Sequence, residues 1–299
     1  MTRSVAQFVA AGAITGPGPG TVLGSAAGAV YLSVGASVLA VTAARVPLMP
    51  NAVSLRRNSV PGAPAGTEAT VSSGEVRFGD ARIDLRGARQ WSPEVPNNAT
   101  RAPADVSRRG RGVLRAAGID AAPEPSALAR ALARPGIGLA VASSDEGESA
   151  VASLLDALVA RDDDAAAGAA RRLLGRGGGL TPEGDDILAG AGAALAAWGR
   201  PAGVSDAQGC ALRAALAPPD VRARTTALSA TLLELAVAGR AAAPLIDVLD
   251  LGSDDGSWRA ALARLHALGH STGRAWALGC AAAGVMLGAP AGHAASSLR

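Results

Sequence analysis

The chain contains no lysine: all 28 basic residues among its 299 are arginine. A bias this complete reads as nucleotide composition rather than as a functional choice. Aromatic residues make up only 2% of the chain, so the 49% that is apolar consists mostly of Ala, Val and Leu, and the core has to be closed by small side chains. The same scarcity removes the stacking platforms that single-stranded nucleic acid uses. The arginines are scattered among acids, with two short knots at Arg56-Arg57 and Arg108-Arg109-Gly110-Arg111, and the net charge is only +3. Nucleic-acid binding is therefore not expected.

Cysteine is limited to Cys210 and Cys280, without a CxxC pair, and two thiols cannot staple a chain of this size. A reducing, cytoplasmic compartment is expected. The only histidines are His266, His270 and His293, which does not point to a zinc site. Charge is missing from residues 4 to 44, a run long enough to test for a membrane span. That run is rich in Gly and Ser, and TGPGPG (15–20) breaks whatever precedes it. AVYLSVG and SVLAVTA alternate as paired strands turning at Gly35-Ala36 would, so no membrane association is expected. A secretory signal is not expected either, because Phe8-Val9-Ala10-Ala11 is too short an apolar stretch.

What is present falls into two parts. The first reads as short strands over 29–35, 37–44, 52–55, 69–71, 75–78 and 81–85, densely punctuated by Gly, Pro and Asn. Val76, Phe78, Ile83 and Leu85 alternate with polar residues across Gly79-Asp80, the pattern of a hairpin with one solvated face. A stretch rich in Pro, Asn and Arg (91–111) follows, and beyond it the periodicity becomes helical. Helices are expected over 126–134, 147–160, 163–175, 181–199, 205–217, 222–239, 241–251, 256–268 and 271–288. The fold class is α+β: a strand-rich N-terminal domain over 1–105, a small barrel or sandwich, and an Ala/Gly-rich helical domain over 112–299.

In GRGGGLTPEGDDILAG (175–190), four glycines at 175–179, a Thr-Pro pair and three acids stand in front of an apolar helix. Thr181-Pro182 reads as a helix start, with the hydroxyl as cap and the proline at the first helical position. Ahead of it, Gly177, Gly178 and Gly179 carry no side chains that block a ligand, so their amides and the helix dipole can face an anion. Glu183, Asp185 and Asp186 compete for the same positive pole. They either stabilise the first turn, or Asp185 and Asp186 hold a divalent cation or a polar substrate. Without a lysine there is no Walker P-loop.

A second stretch echoes the first. Aligned without gaps, TPEGDDILAGAGAALAAWGRP and HSTGRAWALGCAAAGVMLGAP pair Gly184 with Gly273, Gly190 with Gly279, Gly199 with Gly288 and Pro201 with Pro290. Two helices of similar length whose glycines permit close approach are expected, with their N-termini converging so that His270, Ser271 and Thr272 face Thr181, Asp185 and Asp186. GHSTG also fits the GxSxG nucleophile pattern at Ser271, but a helix precedes it and no acid follows Asp255, which sets aside an acyl hydrolase. In RARTT (222–226) and the helix it opens, Arg224, Thr225 and Ser229 lie within about one turn, a guanidinium flanked by hydroxyls that suits carboxylate or phosphate.

Together, LTPEGDDILAG (180–190), RTTALSATLLELA (224–236) and LGHSTG (268–273) resemble, in order and spacing, a family of bacterial proteins. It is the family that includes the third subunit of oxamate carbamoyltransferase, encoded with allantoin-degradation genes. The resemblance covers the C-terminal half well; the front half matches in its strand-rich character and in PNAVSL (50–55). Family members commonly carry Ser after the proline of the first motif, where this chain has Glu183. The resemblance implies a subunit of a multi-subunit transferase that phosphorolyses oxalurate to oxamate and carbamoyl phosphate in purine catabolism. Its partners would be other carbamoyltransferase subunits or further copies of the chain.

No residue roles come with the resemblance, so the site is assigned from the residues. Gly177, Gly178, Gly179 and Thr181 bind phosphate or a carboxylate, with Thr225, Ser229 and Thr272 beside them and Arg224 as countercharge. Asp185 and Asp186 bind Mg²⁺ or the carbamoyl NH₂, and His270 with Ser271 polarises or protonates the leaving nitrogen. A non-catalytic scaffold or regulatory subunit, or a related enzyme acting on another carbamoyl or amide compound, is the alternative.

Overall fold

The structure, a computed structural model, describes residues 2–14, 16–26, 28–120, 124–134 and 139–288. Thr15, Pro290 and His293 lie outside them. The chain divides into two units, Met1–Glu94 with Ala241–Ala243 and Val95–Arg240 with Pro244–Arg299. Among the described residues, no helix is long and apolar enough to cross a membrane.

The first unit is a β-barrel. Its strands are β1 (Thr2–Ala10), β2 (Gly18–Ala26), β3 (Ala29–Val34), β4 (Ser37–Thr42), β5 (Ala52–Leu55), β6 (Glu68–Val71), β7 (Glu75–Phe78), β8 (Ala81–Asp84) and β9 (Arg89–Trp91). Eight close into a ring in the order β5-β4-β3-β2-β6-β7-β8-β1 and back to β5, and β9 lies alongside the second half of β1. Period-two alternation fills the interior: Val30 and Leu32, Leu39 and Val41, Val53 and Leu55, Val76 and Phe78, and Ile83 all join one buried cluster. Ala6, Ala69 and Ala81 complete it, so a narrow barrel is filled largely without aromatics. Hairpins turn where expected, at Gly35 (φ 58°) between β3 and β4 and at Gly79 (φ 50°) between β7 and β8.

Three strands were not anticipated. β1 points Ala6 and Ala10 inward, and alanine does not stand out in an alternation. β2 contains the Gly18-Pro19-Gly20 expected to break the chain. Pro19 sits within it, and a Cβ at Gly20 would lie 2.2 Å from the Ser33 carbonyl oxygen of β3, so this glycine is what lets the strands approach. β9 is only three residues long.

The second unit is helical: α1 (Pro103–Ala116), α2 (Pro125–Leu132), α3 (Asp145–Ala160), α4 (Asp163–Leu173), α5 (Glu183–Trp198), α6 (Asp206–Leu216), α7 (Val221–Arg224), α8 (Ala227–Val237), α9 (Ala243–Leu249), α10 (Asp255–His266) and α11 (Thr272–Leu287). The α+β class therefore stands. α1 corrects the reading of 91–111 as a connecting stretch. Its Arg109 is buried, donates to the carbonyls of Val248, Asp250 and Ser253, and stacks over Trp258. Its Gly110 admits the backbone of α11, where a Cβ would meet the Ala281 carbonyl at 2.7 Å. Residues that look like a polar linker are thus packing positions. The helix expected over 222–239 is two, because Thr225 is extended (φ −144°, ψ −178°) and Thr226 begins α8 by accepting from the Ser229 amide at 3.1 Å.

The centre of the unit is the pair α5 and α11, side by side and running the same way. Thr181 meets Thr272 at their starts, Asp186 meets Trp276 one turn on, and Gly284 lies against Trp198 near their ends. Their contact is reciprocal: a Cβ at Gly190 would stand 2.2 Å from the Trp276 carbonyl, and one at Gly279 would stand 2.2 Å from the Ile187 carbonyl. These are equivalent positions in the gapless alignment, so the sequence echo corresponds to a two-fold relation between the helices. Glycine is required there because the partner atom is backbone and cannot step aside.

Gly190→Val should push α5 from α11 and lower unfolding stability by about 2–3 kcal/mol. Gly168→Ala, on α4 with open space around the added methyl, should raise it by about 0.5–1 kcal/mol. Urea unfolding followed by tryptophan emission measures both, since Trp198, Trp258 and Trp276 belong to the helical unit.

Candidate functional site

The parallel pairing brings two positive helix ends to one place. At that place the Thr181 and Thr272 hydroxyls share a hydrogen bond of 2.8 Å. This corrects the expected cap. Helix α5 begins at Glu183, Pro182 takes the cap position, and the Thr181 hydroxyl is spent on the neighbouring helix instead of a first-turn amide. The first-turn amides turn inward: Gly184 donates to the Arg176 carbonyl at 2.9 Å, and Asp185 and Asp186 donate to that of Pro182 at 3.1 Å. The loop before the helix folds back over its start, and a Cβ on Gly177 (φ 110°) would collide with the Glu183 nitrogen. Gly177, Gly178 and Gly179 are exposed, as is Leu180 beside them.

Three acids of the first turn are buried and go three ways. Glu183 accepts from the Val141 amide at 3.0 Å, fastening the short turn before α3. Asp185 accepts from the Gly175 amide at 2.8 Å and from the hydroxyls of Thr225 and Ser229. Burial raises its pKa, and those three hydrogen bonds oppose the rise. Extended Thr225 is what carries a hydroxyl to this carboxylate, and Thr226 beside it donates to the Leu180 carbonyl at 2.6 Å. The glycine loop is therefore held at both ends by the α7–α8 junction.

Asp186, about 100° further round the helix, faces α11. Its Oδ1 accepts from the Trp276 indole at 2.9 Å, while its Oδ2, equally buried, has no hydrogen-bond partner in the protein. Only 2% of the residue is exposed. Burial drives its pKa well above the usual aspartate range, against the Trp276 bond. Asp185 and Glu183 push it the same way as burial, and nearby Thr272 opposes.

The remaining expected residues lie outward. His270 is exposed, and Ser271 is half-buried at the head of α11 without a capping hydrogen bond from its side chain. The exposed Arg224 guanidinium pairs with Asp220 one turn back, while its carbonyl packs against Gly175. Asp185 and Asp186 turn their carboxyls to different neighbours. Among the described residues no group of three or more His, Cys, Asp or Glu could hold a metal ion.

The structure also brings in residues that the sequence did not single out: Trp276, Thr226, Gly175 and His266. Trp276 carried a usable signal, since a buried indole requires an acceptor and tryptophan is rare in this chain. His266 ends α10 with Nε2 buried and unpartnered, and burial together with Arg274 lowers its pKa, which favours the neutral ring.

Fold and site together define an α+β protein whose buried polar groups gather where two parallel helices begin. Residues 173–284, from the end of α4 into α11 and spanning every site residue above from Gly175 to Trp276, match the family model of oxamate carbamoyltransferase subunit AllH. The match supports membership of the chain in that family, as the three motifs implied. No curated protein and no solved structure matches the chain.

Removing the Asp185 carboxylate strands an amide and two hydroxyls, so Asp185→Ala should cost about 2–5 kcal/mol of stability, measured by chemical denaturation. For Asp186 the folded-state pKa is raised, so the folded protein binds the proton more tightly than the unfolded chain does. Stability should therefore fall as pH rises from the ordinary aspartate range towards the raised value. Asp186→Asn should flatten that part of the curve, which thermal unfolding from pH 3 to pH 8 tests.

Proposed function

We propose that the chain is a subunit of an oxamate carbamoyltransferase-like enzyme that converts oxalurate and phosphate into oxamate and carbamoyl phosphate in allantoin and purine catabolism. A phosphate oxygen attacks the ureido carbonyl carbon, the bond from that carbon to the oxamate nitrogen breaks, and the nitrogen takes up a proton. The observation that carries the reading is the contact between Thr181 and Thr272, which joins two helix starts inside the family-matched stretch. Two positive ends, a side-chain-free glycine loop and a pair of hydroxyls suit an oxyanion.

On this reading Gly177, Gly178, Gly179 and Thr181 receive phosphate or a substrate carboxylate, and Arg224 exchanges Asp220 for that ligand. Thr272 and Asp186 line the inner wall, Asp185 with Thr225 and Ser229 holds the loop, and His270 and Ser271 deliver the proton from the solvent side. The enzyme works in the cytoplasm with partner subunits or further copies of itself. A second reading, a scaffold or regulatory subunit, is favoured by one fact: Asp185 is saturated by its own neighbours, as a structural residue would be.

In the assembled complex, Asp186→Leu, Thr272→Val and Arg224→Ala should each lower carbamoyl phosphate formation by about 10-fold or more, with folding intact. Unchanged rates reject the site. Thermal shift of the chain with carbamoyl phosphate, oxamate and Mg²⁺, singly and combined, separates the two readings: ligand-dependent stabilisation belongs to the enzyme and none to the scaffold.

A further inference from the structure

We infer that Oδ2 of Asp186 is a hydrogen-bond donor reserved for an oxygen atom of the ligand, so that the inner wall of the site selects carbonyl, carboxylate or phosphoryl oxygen rather than a cation or an amine. The inference rests on the site proposed above and fixes the chemistry of its deepest group.

The argument starts from partners. Oδ1 is occupied by the Trp276 indole N–H at 2.9 Å, which leaves Oδ2 as the one side-chain atom of Asp186 without a protein partner. The residue is 2% exposed. Its charged neighbours on α5 are the carboxyls of Asp185 and Glu183, of its own sign, and α11 turns Trp276 and Thr272 towards it. An ionised carboxylate in such a place keeps a full charge among two acidic neighbours, with the Trp276 indole and the Thr272 hydroxyl beside it, which is strongly unfavourable. A proton on Oδ2 removes the charge, leaves Oδ1 as acceptor for the indole, and agrees with the upward direction of the Asp186 pKa.

That proton needs an acceptor. The Thr272 hydroxyl beside it already shares a hydrogen bond with Thr181, and the two helix ends meeting at that pair favour electron-rich oxygen. In the proposed reaction the oxygen is that of the ureido carbonyl or of phosphate, on which negative charge grows as the phosphate attacks. A neutral acid that donates a hydrogen bond stabilises such charge without having to be deprotonated.

The test combines a spectrum and a binding series on the full chain. The infrared spectrum at neutral pH should contain the carbonyl stretch of a protonated carboxyl that Asp186→Asn abolishes. Titration with inorganic phosphate and with oxamate should show Asp186→Asn binding within about 3-fold of the parent, because its Nδ2 keeps a donor where Oδ2 stood. Asp186→Leu should bind about 10- to 100-fold more weakly, the worth of one hydrogen bond to a charged ligand. Circular dichroism establishes that both variants fold, and Asp186→Asn carries the comparison if the leucine variant does not. Absence of the band, a loss of affinity in Asp186→Asn equal to that in Asp186→Leu, or phosphate binding that requires Mg²⁺ and disappears in Asp186→Asn overturns the inference and leaves the site standing. So does full affinity in Asp186→Leu. A parent protein that shows the band yet binds neither probe overturns the site itself, and this inference with it.

Discussion

Close contact between α5 and α11 is the constraint on which the helical unit depends. Parallel neighbouring helices repel through their dipoles, so the pairing has to be compensated. Compensation comes in two forms. Backbone meets backbone at Gly190 and Gly279, which gathers many dispersion contacts along the pair. At the head of the pair three acids, Glu183, Asp185 and Asp186, occupy the first turn of α5, where the positive ends are strongest. Those acids are buried, and each buried carboxyl must then find donors. The site geometry follows from that requirement: Val141, Gly175, Thr225, Ser229 and Trp276 are drawn in to supply them.

The two-fold relation between the helices extends to what precedes them. A Cβ at Gly184 would strike the carbonyl of Leu173 at the end of α4, and one at the equivalent Gly273 would strike the carbonyl of Leu265 in the last turn of α10. Each long helix thus enters the pair across the end of its predecessor by way of a glycine. The chemistry is not duplicated: the position of Asp185 on α5 is Arg274 on α11, and that of Asp186 is Ala275. One helix brings the acids and the other brings the indole that binds one of them.

Much of this was legible in the sequence wherever local pattern and tertiary demand agree. Strands β3 to β8 show because Val, Leu, Ile and Phe alternate with polar residues, and the paired helices show through recurring glycines. β1 and β2 were hidden because their inward positions are serine, alanine, glycine and one valine. α1 was hidden because an arginine buried among carbonyls and a glycine pressed on a backbone look like a linker until the neighbours are known. Thr181-Pro182 has the local form of a helix cap, and the nearby Thr272 hydroxyl outweighed it. The partners of Asp186 and Asp185 lie 90 and 40 residues away, a distance that no spacing rule reaches.

The barrel closes through β1, which lies between β5 and β8 and so pairs with strands far along the chain. Loop-closure entropy has to be overcome before such contacts stabilise anything, and folds dominated by distant pairings form slowly. During synthesis β1 leaves the ribosome before the strands it pairs with, and its edges find their partners when β5 and then β8 have emerged. The first strand of the barrel is therefore among the last to find its place.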